Sequence, residues 1–230
     1  MVSCTDGIYR YNSSIQNQAK SIIIDKTCTK LSFNSLNFTF LEHVTLPNTL
    51  IEIEDDVFVG AKIKELLIPA STRLLSYANP FNSIFSLECI NVDPNNPKYS
   101  SLNGILFSKN FDQLIHYPLQ IKSPIYIVPR TVRYLNPYSF TDHQLLQTLI
   151  FHDRILELRE GCFKFSQSLK SIMIPNKFSL PQNLTNSFLS SNFHFPEDVT
   201  FYDDIIRTCE LPRHIFDLIF IIPLASIIIL

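Results

Sequence analysis

A mainly β solenoid of short strands and turns, with little helix, is the fold class this sequence predicts, and three observations predict it. Short apolar alternations recur about every 23 residues. Most of the alternating segments stop at a proline, as in LEHVTLPN (Leu41 to Asn48), IKELLIPA (Ile63 to Ala70) and LKSIMIPN (Leu169 to Asn176). No segment longer than about two helical turns keeps an i, i+3, i+4, i+7 apolar pattern with recognisable caps.

The repeat is measured by taking the residue that closes each strand as position zero. Asp25, Pro47, Pro69, Asp93, Pro129, His152, Pro175 and Pro196 are then separated by 22, 22, 24, 36, 23, 23 and 21 residues. Positions -3 and -1 are apolar or aromatic in every unit, from Ile22 and Ile24 through Leu66 and Ile68 to Phe193 and Phe195. Downstream, offsets +3, +6 and +11 give Leu50, Ile53 and Phe58, then Val132, Leu135 and Phe140, then Ile155, Leu158 and Phe163. Cys28, Leu31 and Leu36 follow the same offsets, whereas the unit after Pro69 reads as shifted, to Leu74, Tyr77 and Phe81.

Alternation with period two places -3 and -1 on one face of a strand and -2 and -4 on the other. One unit of about 23 residues cannot cover its own apolar face, so units stack into a continuous core, and a period of roughly 20 to 29 is that of leucine-rich repeats. The phenylalanines at +11 form a stacked spine in that core. Proline at zero has no N–H and a fixed φ, so it ends the ladder and turns the chain.

The 36-residue gap holds an insert, about residues 94–120. Pro94, Asn95, Asn96 and Pro97 form a turn-rich lead-in, and GILFS and QLIHYP read as two strands of a hairpin joined through Lys109, Asn110, Phe111 and Asp112. The domain plan that follows is an N-terminal cap segment over 1–18, the solenoid over 19–200, and a C-terminal segment over 201–230 with an apolar tail at 215–230.

Composition narrows function. With 19 Lys and Arg against 21 Asp and Glu, the chain lacks the basic excess of a nucleic-acid binder. Four glycines leave little for phosphate-cradling loops. Five cysteines, at 4, 28, 89, 162 and 209, suggest neither a zinc pattern nor a compact disulfide framework, so buried, reduced thiols are expected, with Cys28 in the core. The six histidines, at 43, 116, 143, 152, 194 and 214, have no partner at metal-ligand spacing, and His152 reads as a turn residue. Adjacent acids, Asp55 with Asp56 and Asp203 with Asp204, point apart on an extended chain and read as solvated turn carboxylates. No nucleophile elbow or Walker loop is present, so no enzyme, cofactor or metal is expected.

The chain resembles the BspA-like leucine-rich-repeat proteins, including the Treponema-type repeats of trichomonad surface antigens. The family repeat, L-x-x-I-x-I-P and then V-x-x-I-x-x-x-A-F, is carried by Leu169, Ile172, Ile174 and Pro175 and by Val132, Leu135, Ser139 and Phe140. Asn96 through Lys109 is similar to its recurrent hairpin. The resemblance is good over about 20–178; Asp93 and His152 depart from the closing proline, and beyond Phe178 only Phe193, Phe195 and Pro196 fit. The resemblance implies a curved, right-handed solenoid that binds a protein ligand, as a surface antigen or adhesin-like protein at the cell surface or on a membrane. The alternative is an intracellular, cytoplasmic interaction scaffold, tail-anchored or truncated.

With -3 and -1 inward, the -2 column lines the outer face of the strand sheet, the concave side of such stacks. It reads Ile23, Thr45, Leu67, Asn91, Ile127, Ile150 and Met173, five of seven apolar, and is the candidate partner-binding stripe. His43, Glu65, Thr148 and Ser171 of the -4 column supply its rim. Two other readings of the stripe stand beside this one: cover by the chain's own tail, and simple β-propensity.

The start, MVSCTDGIYRYNSS, has no basic-then-apolar run, so classical secretion is not expected; sequons at Asn12, Asn37 and Asn183 matter only in a secretory lumen. The tail HIFDLIFIIPLASIIIL, His214 to Leu230, reaches roughly 24 Å as a helix against a core of about 30 Å. Arg207 and Arg213 before it would leave the solenoid cytoplasmic if it inserted, opposite to the display the resemblance implies.

Overall fold

The computed structural model describes residue 4 and residues 6–9, 19–32, 39–76, 79–152, 154–159, 161–164, 166 and 168–173. Sixteen strands run through them: β1 Ile8–Tyr9, β2 Ser21–Ile23, β3 Lys30–Leu31, β4 His43–Thr45, β5 Glu52–Ile53, β6 Glu65–Ile68, β7 Leu74–Leu75 and β8 Cys89–Val92, then β9 Tyr99–Leu102, β10 Ile105–Ser108, β11 Gln113–His116, β12 Ile125–Ile127, β13 Tyr134–Leu135, β14 Thr148–Ile150, β15 Glu157–Leu158 and β16 Ser171–Met173. The described residues contain no helix and coil into a β-solenoid of about six turns.

Each turn of the coil contributes two strands. The strand that closes at position zero pairs in parallel with its equivalent, β2 with β4, β6 with β8, and β14 with both β12 and β16. A second, two-residue strand at +5 and +6, which the periodicity did not reveal, builds the ladder β1-β3-β5-β7 and, beyond the insert, β11-β13-β15. Leu31, Ile53, Leu135 and Leu158 at +6 point inward and are buried. The unit after Pro69 is not shifted at this level, because Glu52 pairs with Leu74 and Ile53 with Leu75. Thr72 fills +3 and is fully buried, its hydroxyl donating to the Leu50 carbonyl (3.1 Å), while Leu74 is 55% exposed. The shifted reading is therefore wrong for Leu74; Tyr77 lies outside the described residues, and Phe81 is buried as expected, one position late.

That one-residue delay has a local cause. Each spine phenylalanine follows by two positions a residue with positive φ: Asp56 (50°) before Phe58, Asn79 (68°) before Phe81, Tyr138 (57°) before Phe140 and Gly161 (68°) before Phe163. The left-handed residue reverses the chain and drives the aromatic ring inward, so an extra residue ahead of it delays the ring without disturbing the strands. At Gly161 a Cβ would stand 2.9 Å from the Tyr138 ring, so glycine there is required twice over.

Position zero shows what replaces proline. The zero carbonyl accepts from the N–H at +3, as in Pro47 to Leu50 (3.0 Å), Asp25 to Cys28 (3.0 Å) and Asp93 to Asn96 (2.8 Å). Where proline is missing, the side chain takes over its turn-fixing role by accepting from the N–H at +2: Asp25 Oδ1 from Thr27 (2.9 Å), Asp93 Oδ1 from Asn95 (2.9 Å), His152 Nδ1 from Arg154 (3.0 Å). The departures from the repeat pattern thus conserve the turn by a different device.

The insert has three strands rather than two. Asn103 and Gly104, both at positive φ (52° and 78°), turn β9 antiparallel onto β10, with Leu102 opposite Ile105. β11 then pairs antiparallel with β10 and parallel with β13 (Leu114 opposite Leu135), so it stands in the place of a second strand of the coil. The insert does not merely interrupt the stack. Ile105, Phe107 and Leu114 pack into the C-terminal core, and Leu106 and Ile115 into the N-terminal one, which makes the hairpin a partition buried on both sides.

The aromatic spine crosses this partition. Phe58 lies 6.5 Å from Phe81, Phe81 5.8 Å from His116, Tyr117 5.2 Å from Phe140, and Phe140 5.6 Å from Phe163. Cys28 is in the core as expected, but not as a reduced thiol: it is disulfide-bonded to Cys4, with Cα atoms 5.2 Å apart. Cys89 and Cys162 are free thiols.

Leu36, Asn12, Asn37, Ile174, Pro175, Phe178, Asn183, Phe193, Phe195, Pro196, Asp203, Asp204 and the tail 215–230 lie outside the described residues. Among the described residues no helix is long and apolar enough to cross a membrane.

Candidate functional site

The outer face of the first-strand ladder carries the predicted stripe, and the structure divides it into three pieces. In the three-stranded sheet, Ile127, Ile150 and Met173 are register partners on neighbouring parallel strands, as are Ile125, Thr148 and Ser171. Between these two rows, Tyr126, Leu149 and Ile172 point into the core, with Leu149 and Ile172 fully buried. Parallel strands lie about 4.8 Å apart, so side chains in one column stack and shield one another; Ile127, Ile150 and Met173 are half-buried. The rim residues tie the edge of this row, since the Ser171 hydroxyl donates to Thr148 Oγ1 at 3.0 Å.

The other stripe residues form two pairs. Ile23 stands opposite Thr45 and Leu67 opposite Asn91, so apolar and polar alternate there, and the isoleucine and leucine are 48% and 57% exposed. Their rim positions, His43 beside Ser21 and Glu65 beside Cys89, add one carboxylate, which together with burial raises the Cys89 thiol pKa, burial being the larger cause. The insert separates β8 from β12, clamped to the preceding turn by Gln120 N–H to the Leu87 carbonyl (2.9 Å) and Gln120 Nε2 to the Phe85 carbonyl (2.8 Å). The stripe is thus one continuous apolar row of three residues and two exposed anchors.

Beneath the continuous row lies a buried polar cluster that the column reading did not find. His143 accepts from the Leu146 N–H at Nδ1 (3.2 Å), which leaves Nε2 to donate to the Pro118 carbonyl (3.1 Å). Burial lowers its pKa to about 4. His116 accepts from Asn79 Nδ2 at 3.0 Å, and burial, with the nearby His143, lowers its pKa to about 3. The Tyr117 ring sits 4.9 Å from His143 and 4.8 Å from Tyr126, and burial raises both phenol pKa values. Both imidazoles are therefore neutral structural groups of the spine, and their only sequence signal was polarity at otherwise apolar positions. Among the described residues no group of three or more His, Cys, Asp and Glu converges as a metal site.

Comparisons with known proteins place this architecture. The family model for the BspA type leucine-rich repeat region matches in six copies, over residues 10–87 and 119–218. A leucine-rich cell surface protein from Faecalibacterium prausnitzii superposes with a TM-score of 0.57 at 20% identity, over 87% of this chain and 62% of its own. A leucine-rich-repeat protein from Eubacterium ventriosum gives 0.55 at 16%, over 78% and 64%, and the pneumococcal vaccine antigen PcpA gives 0.50 at 19%, over 93% and 80%. The chain thus spans less than two thirds of the length of the first of these structures. No curated protein matches in sequence. The matched length, the parallel double ladder and the phenylalanine spine lead to one conclusion: this chain belongs to the BspA-type leucine-rich-repeat family.

Proposed function

We propose that the protein is a non-enzymatic binding solenoid of the cell surface, antigen- or adhesin-like, that takes a protein ligand on the outer face of its first-strand ladder. The observation that carries the reading is the in-register row Ile127, Ile150 and Met173, extended by the exposed Ile23 and Leu67. Apolar side chains on a solvent-facing ladder cost solubility, and partner burial is the usual return for them. Thr45, Asn91 and the rim residues His43, Glu65, Thr148 and Ser171 supply hydrogen-bonding groups around these anchors. Leucine-rich repeats serve generally as protein-interaction modules, and the similar structures include a cell surface protein and a vaccine antigen. The Cys4–Cys28 disulfide supports an oxidising compartment over the cytoplasm.

The test combines Leu67→Asp, Ile150→Asp and Met173→Asp in one variant and measures capture of surface and matrix proteins by the purified chain, with thermal unfolding as control. A cooperative fold with capture lost is expected. Capture unchanged in the folded variant would refute the site, and surface labelling of intact cells that spares the protein would favour the intracellular scaffold.

A further inference from the structure

We propose that Ile115 to Pro118, the end of β11 and the two residues after it, form an acid-released latch: protonation of His116 and His143 frees the segment from the turns on either side and loosens the joint between the two halves of the solenoid. No strand from β1 to β8 pairs in the sheets that hold β11 to β16, because the ladder β1-β3-β5-β7 and the pairs β2-β4 and β6-β8 end at the insert. The two apolar cores part there as well, with Ile115 in the N-terminal one and Tyr117 in the C-terminal one. On the side of the spine the joint is made by side chains. Asn79 of the preceding turn donates from Nδ2 to the Ile115 carbonyl (3.1 Å) and to His116 Nδ1 (3.0 Å). His143 of the following turn donates from Nε2 to the Pro118 carbonyl (3.1 Å), and the Tyr117 N–H donates to the Ser139 carbonyl (2.9 Å).

Both imidazoles keep these contacts only while neutral. Asn79 cannot turn its amide around to meet a protonated ring, because its Oδ1 already accepts from the Phe81 N–H (3.3 Å) and its backbone is held at φ 68°. A proton on His116 Nδ1 would therefore stand against the Asn79 N–H, while Nε2 of the same ring has no partner. A proton on His143 Nδ1 would likewise stand against the Leu146 N–H, which that nitrogen accepts at 3.2 Å. Both rings are buried. Phe81 packs against His116, and Tyr117, backed by Tyr126, packs against His143. Asp142, the neighbour of His143 in sequence, lies in the field of Lys164. Burial is the main cause that keeps both rings neutral; His143 adds to it at His116, and the Pro118 carbonyl opposes it at His143.

The rest of the joint needs no histidine. On the side of the first ladder the Ile90 N–H donates to the Gly104 carbonyl (2.8 Å), and Gln120 holds the Leu87 and Phe85 carbonyls. On the side of the second ladder the Tyr99 hydroxyl accepts from the Leu75 N–H and donates to the Arg73 carbonyl, both at 3.2 Å. These bonds persist in acid, so release opens the spine side alone and the joint flexes as a hinge. The ladders stay paired, so opening costs less than unfolding and precedes it as pH falls. An ordinary imidazole protonates near 6.5, whereas in the closed form His143 and His116 stay neutral to about 4 and about 3. Closure is therefore fully favoured above about 6.5, and below it each histidine shifts the balance toward the open form by about tenfold per pH unit. The device does not depend on what the first ladder binds.

The test is hydrogen–deuterium exchange of the full chain, read by mass spectrometry at pH 7.5, 6.5, 5.5 and 5.0 and corrected for the intrinsic pH dependence of exchange. Peptides over 79–84, 115–121 and 140–146 should exchange at least about tenfold faster than ladder peptides over 43–45, 65–68 and 148–150 at every pH, because they open without unfolding. Their protection should fall by more than about tenfold between pH 6.5 and 5.5. Combining His116→Gln with His143→Asn, whose amide oxygens can still accept from Asn79 and Leu146, should make that protection independent of pH. The wild-type pattern decides the matter without the variant. Equal exchange in the two sets of peptides would mean that the joint opens only when the whole chain unfolds, and would overturn the proposal. So would spine protection unchanged down to pH 5.0, or an unaltered pH response in the folded variant.

Discussion

Acidification should unfold this protein through His143 and His116, and the magnitude follows from their burial. An imidazole in the unfolded chain protonates near 6.5; in the folded chain His143 stays neutral to about 4, because burial disfavours the charged ring and outweighs the hydrogen bond to the Pro118 carbonyl, which acts the other way. Between those values the unfolded state binds a proton that the folded state does not, so stability is fully present above about 6.5 and is lost as pH falls toward 4. At about 1.4 kcal/mol per pH unit, lowering the pH to 4.5 removes about 3 kcal/mol through His143 alone. His116, neutral to about 3, adds a loss of the same order over the same window. Against a total stability of roughly 5–15 kcal/mol this is a large fraction. Urea unfolding at pH 7.5, 6.5, 5.5 and 4.5 measures it, with His143→Asn as the comparison, since the asparagine oxygen can still accept from Leu146. The variant should be less stable at pH 7.5 and should lose about half of the pH dependence. An unaltered slope in the folded variant would refute the assignment.

Three further outcomes are expected. Phe140→Ala should cost about 3–5 kcal/mol in unfolding free energy, because the ring is fully buried between Tyr117 and Phe163, whereas Phe85→Ala, at a ring 61% exposed, should change it by less than about 0.5. Gly104→Ala should lower the melting temperature by several degrees, since φ is +78° and the new Cβ would stand 3.2 Å from the Cys89 Cα, which cannot retreat without moving β8. Replacing Cys4 by serine should cost about 3 kcal/mol through the 24-residue separation it no longer closes, and dithiothreitol should lower the wild-type melting temperature to match.

What the sequence determined by itself is whatever repeats. The apolar -3 and -1 positions, the +3 and +6 residues and the phenylalanines at +11 are each set by a local rule, inward side chains on a short strand, and a rule applied once per turn leaves a period that can be counted. Most of the described residues at those positions are buried, with Val44, Leu46, Leu75, Val92, Tyr99 and Tyr126 only partly so. The BspA-type family was legible for the same reason. The outward column was legible as a list, but its division into a row of three and two separate pairs was not, because the list does not say which neighbouring strands pair, before the insert or across it.

Tertiary structure decided the features that depend on residues far apart in sequence and occurring once. The sequence reading placed one hairpin turn at Lys109 to Asp112 and did not read the Asn103–Gly104 turn that adds β9, and only packing made the insert a partition with Leu106 and Ile115 in one core and Phe107 and Leu114 in the other. Cys4 and Cys28 looked unremarkable at their spacing; the approach of their backbones through the first turn of the coil made the disulfide. Arg130, Arg133 and Arg154 share no column, yet line one cleft because the hairpin meets the coil at Asp112 and His152 ties the following turn to Pro129. Periodicity reports what each unit does alike, and the features that occur once arise where units differ.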